Sequence, residues 1–177
     1  MSRENPSAAA AAAAESEEKK TFEEDHFFDS TLESVNKAED IVEKQLAAFG
    51  WPEDIAYRFC LSVREAMANA VIHGNLGLTM GKDEDGYSAR IAEAQRSEEN
   101  KAKRVKVYYH LTKDEATVHI KDEGNFIPTI KRDPTTGEAL LKGSGRGLFL
   151  IDKGIDNLQF FPGEIILHKQ NRDEDAI

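Results

Sequence analysis

The sequence predicts an α+β fold, a two-layer sandwich with helices on one face of a mixed, mainly antiparallel sheet. Two observations lead there. Val105, Val107, Tyr109 and Leu111 alternate with Arg104, Lys106, Tyr108 and His110, and alternation resumes at Ala116, Val118 and Ile120. Such period-two alternation makes a hairpin with one apolar face. The stretches 31–49 and 53–73 repeat apolar residues at helical spacing, so each supplies a stripe that can close that face. A chain of 177 residues is long enough for one such core with tails at its ends.

Residues 1–20 come first, as an Ala- and Glu-rich tail. The run Ala8 to Ala14 favours helix, but a short isolated helix is marginal in water, and disorder or a frayed helix is expected. The folded domain is expected over 21–170. Thr21 to Asp29, with Phe22, Phe27 and Phe28, reads as an edge strand. Ser30-Thr31-Leu32-Glu33 reads as a capping box, in which Ser30 and Glu33 each satisfy an orphan N–H. The helix that follows buries Val35, Ala38, Val42, Leu46 and Phe49 and stops at Gly50. Pro52, Glu53 and Asp54 suit the first turn of the central helix. Its stripe is Ile55, Phe59, Val63, Ala66 and Ala70, and Gly74 ends it. Leu76 to Lys103 reads as a polar connection, helical over Ala89 to Gln95 and otherwise a solvated spacer. After the first hairpin, a polar loop from Asn125 to Lys142 leads to a short helix, Leu148 to Lys153, ended by Gly154. A last hairpin pairs Leu158 to Phe161 with Ile165 to His168 across Pro162-Gly163. Asn171 to Ile177 is an acidic tail.

Composition narrows the function classes. A formal net charge of −10 argues against a nonspecific nucleic-acid binder and suits docking on a partner's basic patch. Cys60 is the one cysteine, so an intramolecular disulfide is excluded and no Cys/His cluster suggests zinc. It is expected to be a buried, inert thiol. No apolar run approaches a membrane span, and the alanine run lacks the basic flank and strongly apolar segment of a signal peptide. A cytoplasmic protein is expected.

Three boxes carry chemistry. Glu65, Asn69 and His73 recur at every fourth position of the central helix, on a face beside its apolar stripe. A carboxylate and a carboxamide one turn apart can hold a base and a magnesium ligand over one phosphate. On their own the three residues would suit a solvated edge, with His73 near the helix C-terminus. Asp122 closes a strand with Gly124 two residues on. A carboxylate there can accept from an exocyclic amino group such as that of adenine, and Gly124 would let a flat ring approach the backbone. Gly143-Ser144-Gly145-Arg146-Gly147 alternates three glycines just ahead of a helix. That pattern exposes N–H groups to an anion, and Lys142 and Arg146 add positive charge. A Walker A loop is excluded by the absence of Gly-Lys-Ser/Thr, and a dinucleotide fold is a poor match because the loop does not follow a strand.

In order and context the three boxes resemble the Bergerat-fold (GHKL) ATP-binding superfamily, which includes gyrase, histidine kinases and MutL. Within it, the chain resembles the small bacterial anti-sigma factor serine/threonine kinases. Their Glu-Ala-x-x-Asn-Ala-x-x-His-Gly-Asn appears as Glu65-Ala66-Met67-Ala68-Asn69-Ala70-Val71-Ile72-His73-Gly74-Asn75. Their Gly-Arg-Gly-Leu appears as Gly145-Arg146-Gly147-Leu148, followed by the apolar Phe149-Leu150-Ile151. The resemblance runs from residue 22 to residue 170.

That resemblance implies a Bergerat-fold kinase domain with ATP and Mg2+ as its ligands. Glu65 would be the general base that polarises the attacking hydroxyl, and Asn69 would ligate magnesium. Asp122 would bind the adenine amino group and Gly124 would line the base. Gly143, Ser144, Gly145, Arg146 and Gly147 would embrace the phosphates. His73, Ile127, Lys142 and Leu148 complete the expected nucleotide contacts. Catalysis of this kind is mostly positioning and charge neutralisation. One position departs from the pattern. Phe126 stands where the Asp-x-Gly-x-Gly box has its second glycine, and it either crowds the adenine position or stacks near it.

The implied function is an ATP-dependent protein serine/threonine kinase and anti-sigma factor in a partner-switching pathway. Its partners would be an anti-sigma-factor antagonist, which it phosphorylates, and a sigma factor, with no direct nucleic acid and no membrane. The family often dimerises, which makes a homodimer a candidate assembly. The alternative is a nucleotide-binding regulatory module that sequesters a partner without phosphoryl transfer. Phe126 keeps that alternative open and Glu65 argues against it. An α/β adaptor with no nucleotide site ranks last, because it needs three boxes to coincide by chance.

Overall fold

The computed structural model describes residues 20–79, 85–125, 151 and 154–172. The expectations for the two tails, for Phe126 and for the loop and glycine box up to Leu148 lie outside the described residues, Lys20, Asn125, Asn171 and Arg172 excepted.

Among the described residues, five strands form one sheet. They are β1 (Phe22–Asp29), β2 (Arg104–Leu111), β3 (Glu115–Lys121), β4 (Asn157–Phe161) and β5 (Glu164–Gln170), in the order β1-β2-β3-β5-β4. Each neighbouring pair is antiparallel. The Phe22 strand lies at the edge, as its sequence suggests. The register sets Tyr109 opposite Val118, and Val118 opposite Leu167. These residues share the apolar face, and Val105, Val107, Tyr109, Leu111, Ala116, Val118 and Ile120 are all fully buried. The other face carries the alternate polar residues, with exposed pairs such as Lys106 Nζ to Asp25 Oδ1 at 3.0 Å. Such pairs contribute little to stability.

Two helices, α1 (Leu32–Ala48) and α2 (Glu53–Asn69), bury their stripes in the same core as the sheet's apolar face. Val35, Ala38, Val42 and Leu46 are buried on α1, and Ile55, Phe59, Val63 and Ala66 on α2. Cys60 is buried among them, and desolvation pushes its thiol up to about 12. Gly50, at φ 73°, takes the left-handed conformation that ends α1. Trp51 Nε1 then donates to Thr112 O at 2.8 Å, which ties the helix connection to the tip of the first hairpin.

The capping box is corrected. Thr31 is the N-cap, and its Oγ1 accepts from Ser34 N–H at 3.3 Å. Ser30 is buried, and its hydroxyl donates to Lys103 O at 3.0 Å. Glu33 turns outward to Lys37 at 2.7 Å. A distant carbonyl, invisible in a local pattern, claims the serine that the pattern assigned to the helix.

The central helix is also corrected. Its α-helical part stops at Asn69, and Ala70–Asn75 forms a π-helical turn. Leu76 N–H reaches back five residues to Val71 O at 2.9 Å. Gly74 therefore lies inside the turn and does not terminate a helix. The segment after it is no solvated spacer. It holds α3 (Tyr87–Arg96) and α4 (Glu98–Ala102), with Leu76 and Ile91 buried and Tyr87 and Ala94 packed against the core. Ser97 caps α4, accepting from Asn100 N–H at 3.4 Å.

Ile151 and Gly154 are both helical and buried, and the helix ends at Gly154, as expected. Its glycine has a further cause. A Cβ there would overlap Ser62 Oγ and the carbonyl of Arg58, so this backbone lies directly on α2. Ser62 Oγ bridges the contact, 2.9 Å from Arg58 O and 3.4 Å from Ile151 O. Gly154→Ala is expected to lower the unfolding free energy in urea by about 1–3 kcal/mol, the usual cost of overpacking. An unchanged urea midpoint would show that the two backbones are not in close contact.

Candidate functional site

The site is built where the π-helical turn meets the end of β3. Gly74 faces the Asp122 side chain so closely that a Cβ would lie 2.6 Å from each carboxylate oxygen. Gly124 in turn lies on the carbonyl of Gly74, with no room for a Cβ. The backbone of Gly74 occupies the space that glycine frees at 124, which gives a structural reason for this residue besides approach of a ring. Asp122 N–H donates to Gly163 O at 2.9 Å, and Gly163 adopts φ 69° to present it.

Asp122 is half-buried. Gly124 N–H donates to its Oδ1 at 2.7 Å, and among the described residues no donor is assigned to Oδ2. Burial pushes its carboxyl above its ordinary value, and the Gly124 hydrogen bond opposes that only in part. A carboxylate left with an uncommitted oxygen in a half-dry position is suited to accept from a ligand amine.

Glu65 and Asn69 are half-buried and one turn apart on α2. Tyr87, the first residue of α3, lies within the field of Glu65. Its hydroxyl is pushed up by burial and, after that, by the Glu65 charge. His73 lies in the π-helical turn, half-buried, and its Nδ1 donates to Leu78 O at 2.5 Å. That bond holds the chain as it leaves the turn. The wider π-helical turn advances less per residue, so His73 falls behind the position a regular helix would give it.

The structure thus brings Gly74, Asp122 and Gly124 together and places Glu65, Asn69 and His73 on the helix that leads into them. Ile127, Lys142, Gly143, Ser144, Gly145, Arg146, Gly147 and Leu148 lie outside the described residues. Two contributors were missed in the sequence. Gly163 reads there as a turn, and nothing local links it to Asp122. Asn75 ends the quoted motif without a role. It is 1% exposed, and its Oδ1 accepts from Glu123 N–H at 2.7 Å. A buried-type position held by an amide at the end of a polar box was the one available clue.

A family model described as a histidine kinase-like ATPase domain matches residues 28–84 and 87–166. The chain belongs to this family. No curated protein matches the sequence. The α+β sandwich with its antiparallel sheet is the GHKL ATPase fold. Membership of the GHKL superfamily makes this an ATP-binding domain. No helix among the described residues is long and apolar enough to cross a membrane.

The raised Asp122 carboxyl has a stability consequence. A group whose folded value is raised gives stability that is present below its ordinary value of 3.8 and lost as pH rises through the raised value. Asp122→Asn removes that loss. Relative to the native chain, the variant should therefore gain unfolding free energy between acid and neutral pH, read from urea curves at both. Asp156 shifts the opposite way. Its burial is outweighed by the Gln170 N–H and the Lys169 ammonium, but it is common to both proteins and cancels in the comparison. A difference between the two proteins that is flat in pH, or falls, would contradict the buried-carboxylate assignment.

Proposed function

We propose that this GHKL domain is an ATP-dependent serine/threonine protein kinase and anti-sigma factor in a partner-switching pathway. Its substrate is an anti-sigma-factor antagonist and its sequestered partner a sigma factor, without direct contact to nucleic acid or membrane. The single observation that carries the reading is the course of one helix. It presents Glu65 and Asn69 one turn apart and half-buried, then enters a π-helical turn pressed against Asp122. The likeness of Glu65 to Asn75, and of Gly145 to Leu148, to the anti-sigma factor kinases supports the choice of acceptor and partner. A homodimer in the cytoplasm is part of the same reading.

In this reading Asp122 accepts from the adenine amino group through Oδ2. Guanine presents a carbonyl at that place, so ATP or ADP is preferred over GTP. Gly124 lines the base. His73, Ile127, Lys142, Leu148 and the loop from Gly143 through Ser144, Gly145 and Arg146 to Gly147 complete the nucleotide contacts. Asn69 offers one carboxamide oxygen, a hard ligand that suits Mg2+, whose remaining shell is ordinarily phosphate and water oxygen. Bound Mg-ATP supplies the transferable phosphoryl group and neutralised phosphate charge. Glu65 takes the proton of the attacking serine or threonine hydroxyl.

Three variants test these roles. Glu65→Gln keeps size and most hydrogen bonding but removes the basic carboxylate. It should leave Mg-ATP binding nearly intact while phosphoryl transfer to a cognate antagonist falls ~100-fold or more, the usual share of general-base catalysis. Asn69→Ala should lose Mg-ATP binding and transfer together. Asp122→Asn should weaken ADP binding in calorimetry by roughly 1.5–3 kcal/mol, the value of a charged hydrogen bond. A native chain that binds Mg-ATP tightly yet never labels any cognate antagonist would replace the kinase with a nucleotide-binding regulatory module, the alternative that Phe126 keeps open. Transfer by Glu65→Gln at the native rate would remove Glu65 from the role of base.

A further inference from the structure

Asn75 is too deeply buried to touch a ligand, yet it joins four parts of the fold. Its Oδ1 accepts from Glu123 N–H at 2.7 Å. Its Nδ2 donates to Ser30 Oγ at 2.8 Å, and Ser30 Oγ donates onward to Lys103 O at 3.0 Å. Its own carbonyl accepts from Lys103 Nζ at 3.1 Å. The side chain amide thus uses both ends, and its backbone is held as well.

The N–H that Asn75 grips belongs to the peptide that joins Asp122 to Glu123. Fixing that peptide plane fixes the backbone from which the Asp122 carboxylate projects. The other side of the same residue is held by Gly163 O, and its side chain rests on Gly74, the immediate neighbour of Asn75. The residue that follows is held too, because Glu123 Oε1 accepts from Arg104 N–H at 2.7 Å. Among these holds, only the one from Asn75 comes from a side chain amide with a second, buried partner that keeps it from rotating.

We propose that Asn75 is a positioning residue for base recognition: it sets the direction of the Asp122 carboxylate, and so the discrimination between an amino-bearing purine and one without the amino group. The proposal rests on the reading of Asp122 as the adenine acceptor. Asn75 contributes no contact to the nucleotide itself. Its loss acts on the one hydrogen bond that needs Asp122 aimed correctly and spares contacts made elsewhere.

The test is calorimetric titration of the full chain with ATP and with purine riboside triphosphate, which lacks the amino group. The native chain should prefer ATP roughly tenfold or more, the worth of one charged hydrogen bond. Asn75→Leu keeps the volume and removes the grip on Glu123 N–H. Its preference should fall towards parity, with affinity for the purine analogue little changed. Asn75→Ser, smaller and able to admit a water, serves if the leucine variant does not fold, and the same loss of preference is expected. Equal weakening of both nucleotides, or an unaltered preference, in a variant that folds would overturn the proposal and leave Asn75 a structural residue. A native chain that does not distinguish the two nucleotides overturns it differently, because Asp122 is then not the acceptor and there is nothing for Asn75 to aim.

Discussion

The contact between the backbone of Gly74 and the end of β3 is the constraint on which the site depends. Two glycines, 74 and 124, are needed because carbonyl and carboxylate occupy the places where side chains would begin. A regular helix continued through residue 75 would carry Gly74 on a different course. The π-helical turn inserts the slack that lets the chain swing onto β3 while α2 keeps its stripe in the core. The turn costs poorer hydrogen-bond geometry than an α-helix, and its persistence is accounted for by what it touches.

The electrostatics follow from that packing. Pressed against Gly74, Asp122 loses water from one side and, among the described residues, receives one N–H in return. Lys169 and Asp156 show what the fold does with a buried charge that has only a structural duty. They pair at 2.9 Å, and the carboxylate takes a further backbone N–H at 2.7 Å. By comparison with this pair, Asp122 has fewer partners among the described residues. A destabilised group held in place by surrounding structure is the common signature of a binding position.

Much of this architecture was legible in the residues, for a physical reason. Strand alternation and helical stripes are local patterns, and burial follows them directly. The alternating apolar positions of the first hairpin are buried, as are Val35, Ala38, Val42 and Leu46 on α1 and the stripe of α2 through Ala70, whereas Phe49, expected to be buried with them, is only partly so. What escaped was decided at long range. Ser30 looks like a cap until Lys103, seventy-three positions away, offers its carbonyl. Gly74 looks like a helix terminator but lies inside the π-helical turn, where the Asp122 side chain requires it, and Gly154, which does end its helix, is also required by the backbone of α2. The π-helical turn leaves no periodic trace, since one widened turn is too short to alter a pattern. In the candidate site, Asp122 and Gly124 were legible through their place after a strand, whereas Asn75 and Gly163 act through partners that sequence order hides.

Lys103 closes a circuit with Asn75, and this bears on how the fold can diversify. The chain leaves the π-helical turn at Asn75 and enters β2 after Lys103, whose ammonium meets the carbonyl of Asn75. Departure and return coincide, so the excursion between them makes no net displacement of β2 relative to α2. The entropy of closing such a loop rises only slowly with its length. Residues can therefore be gained or lost there during evolution while the sheet register is preserved, provided that Leu76 and Ile91 or their replacements still fill the core. The excursion is in this sense an interchangeable attachment, closed at its base by Lys103 and seated on the core through Leu76 and Ile91, on which a lineage can change its surface without rebuilding the domain beneath.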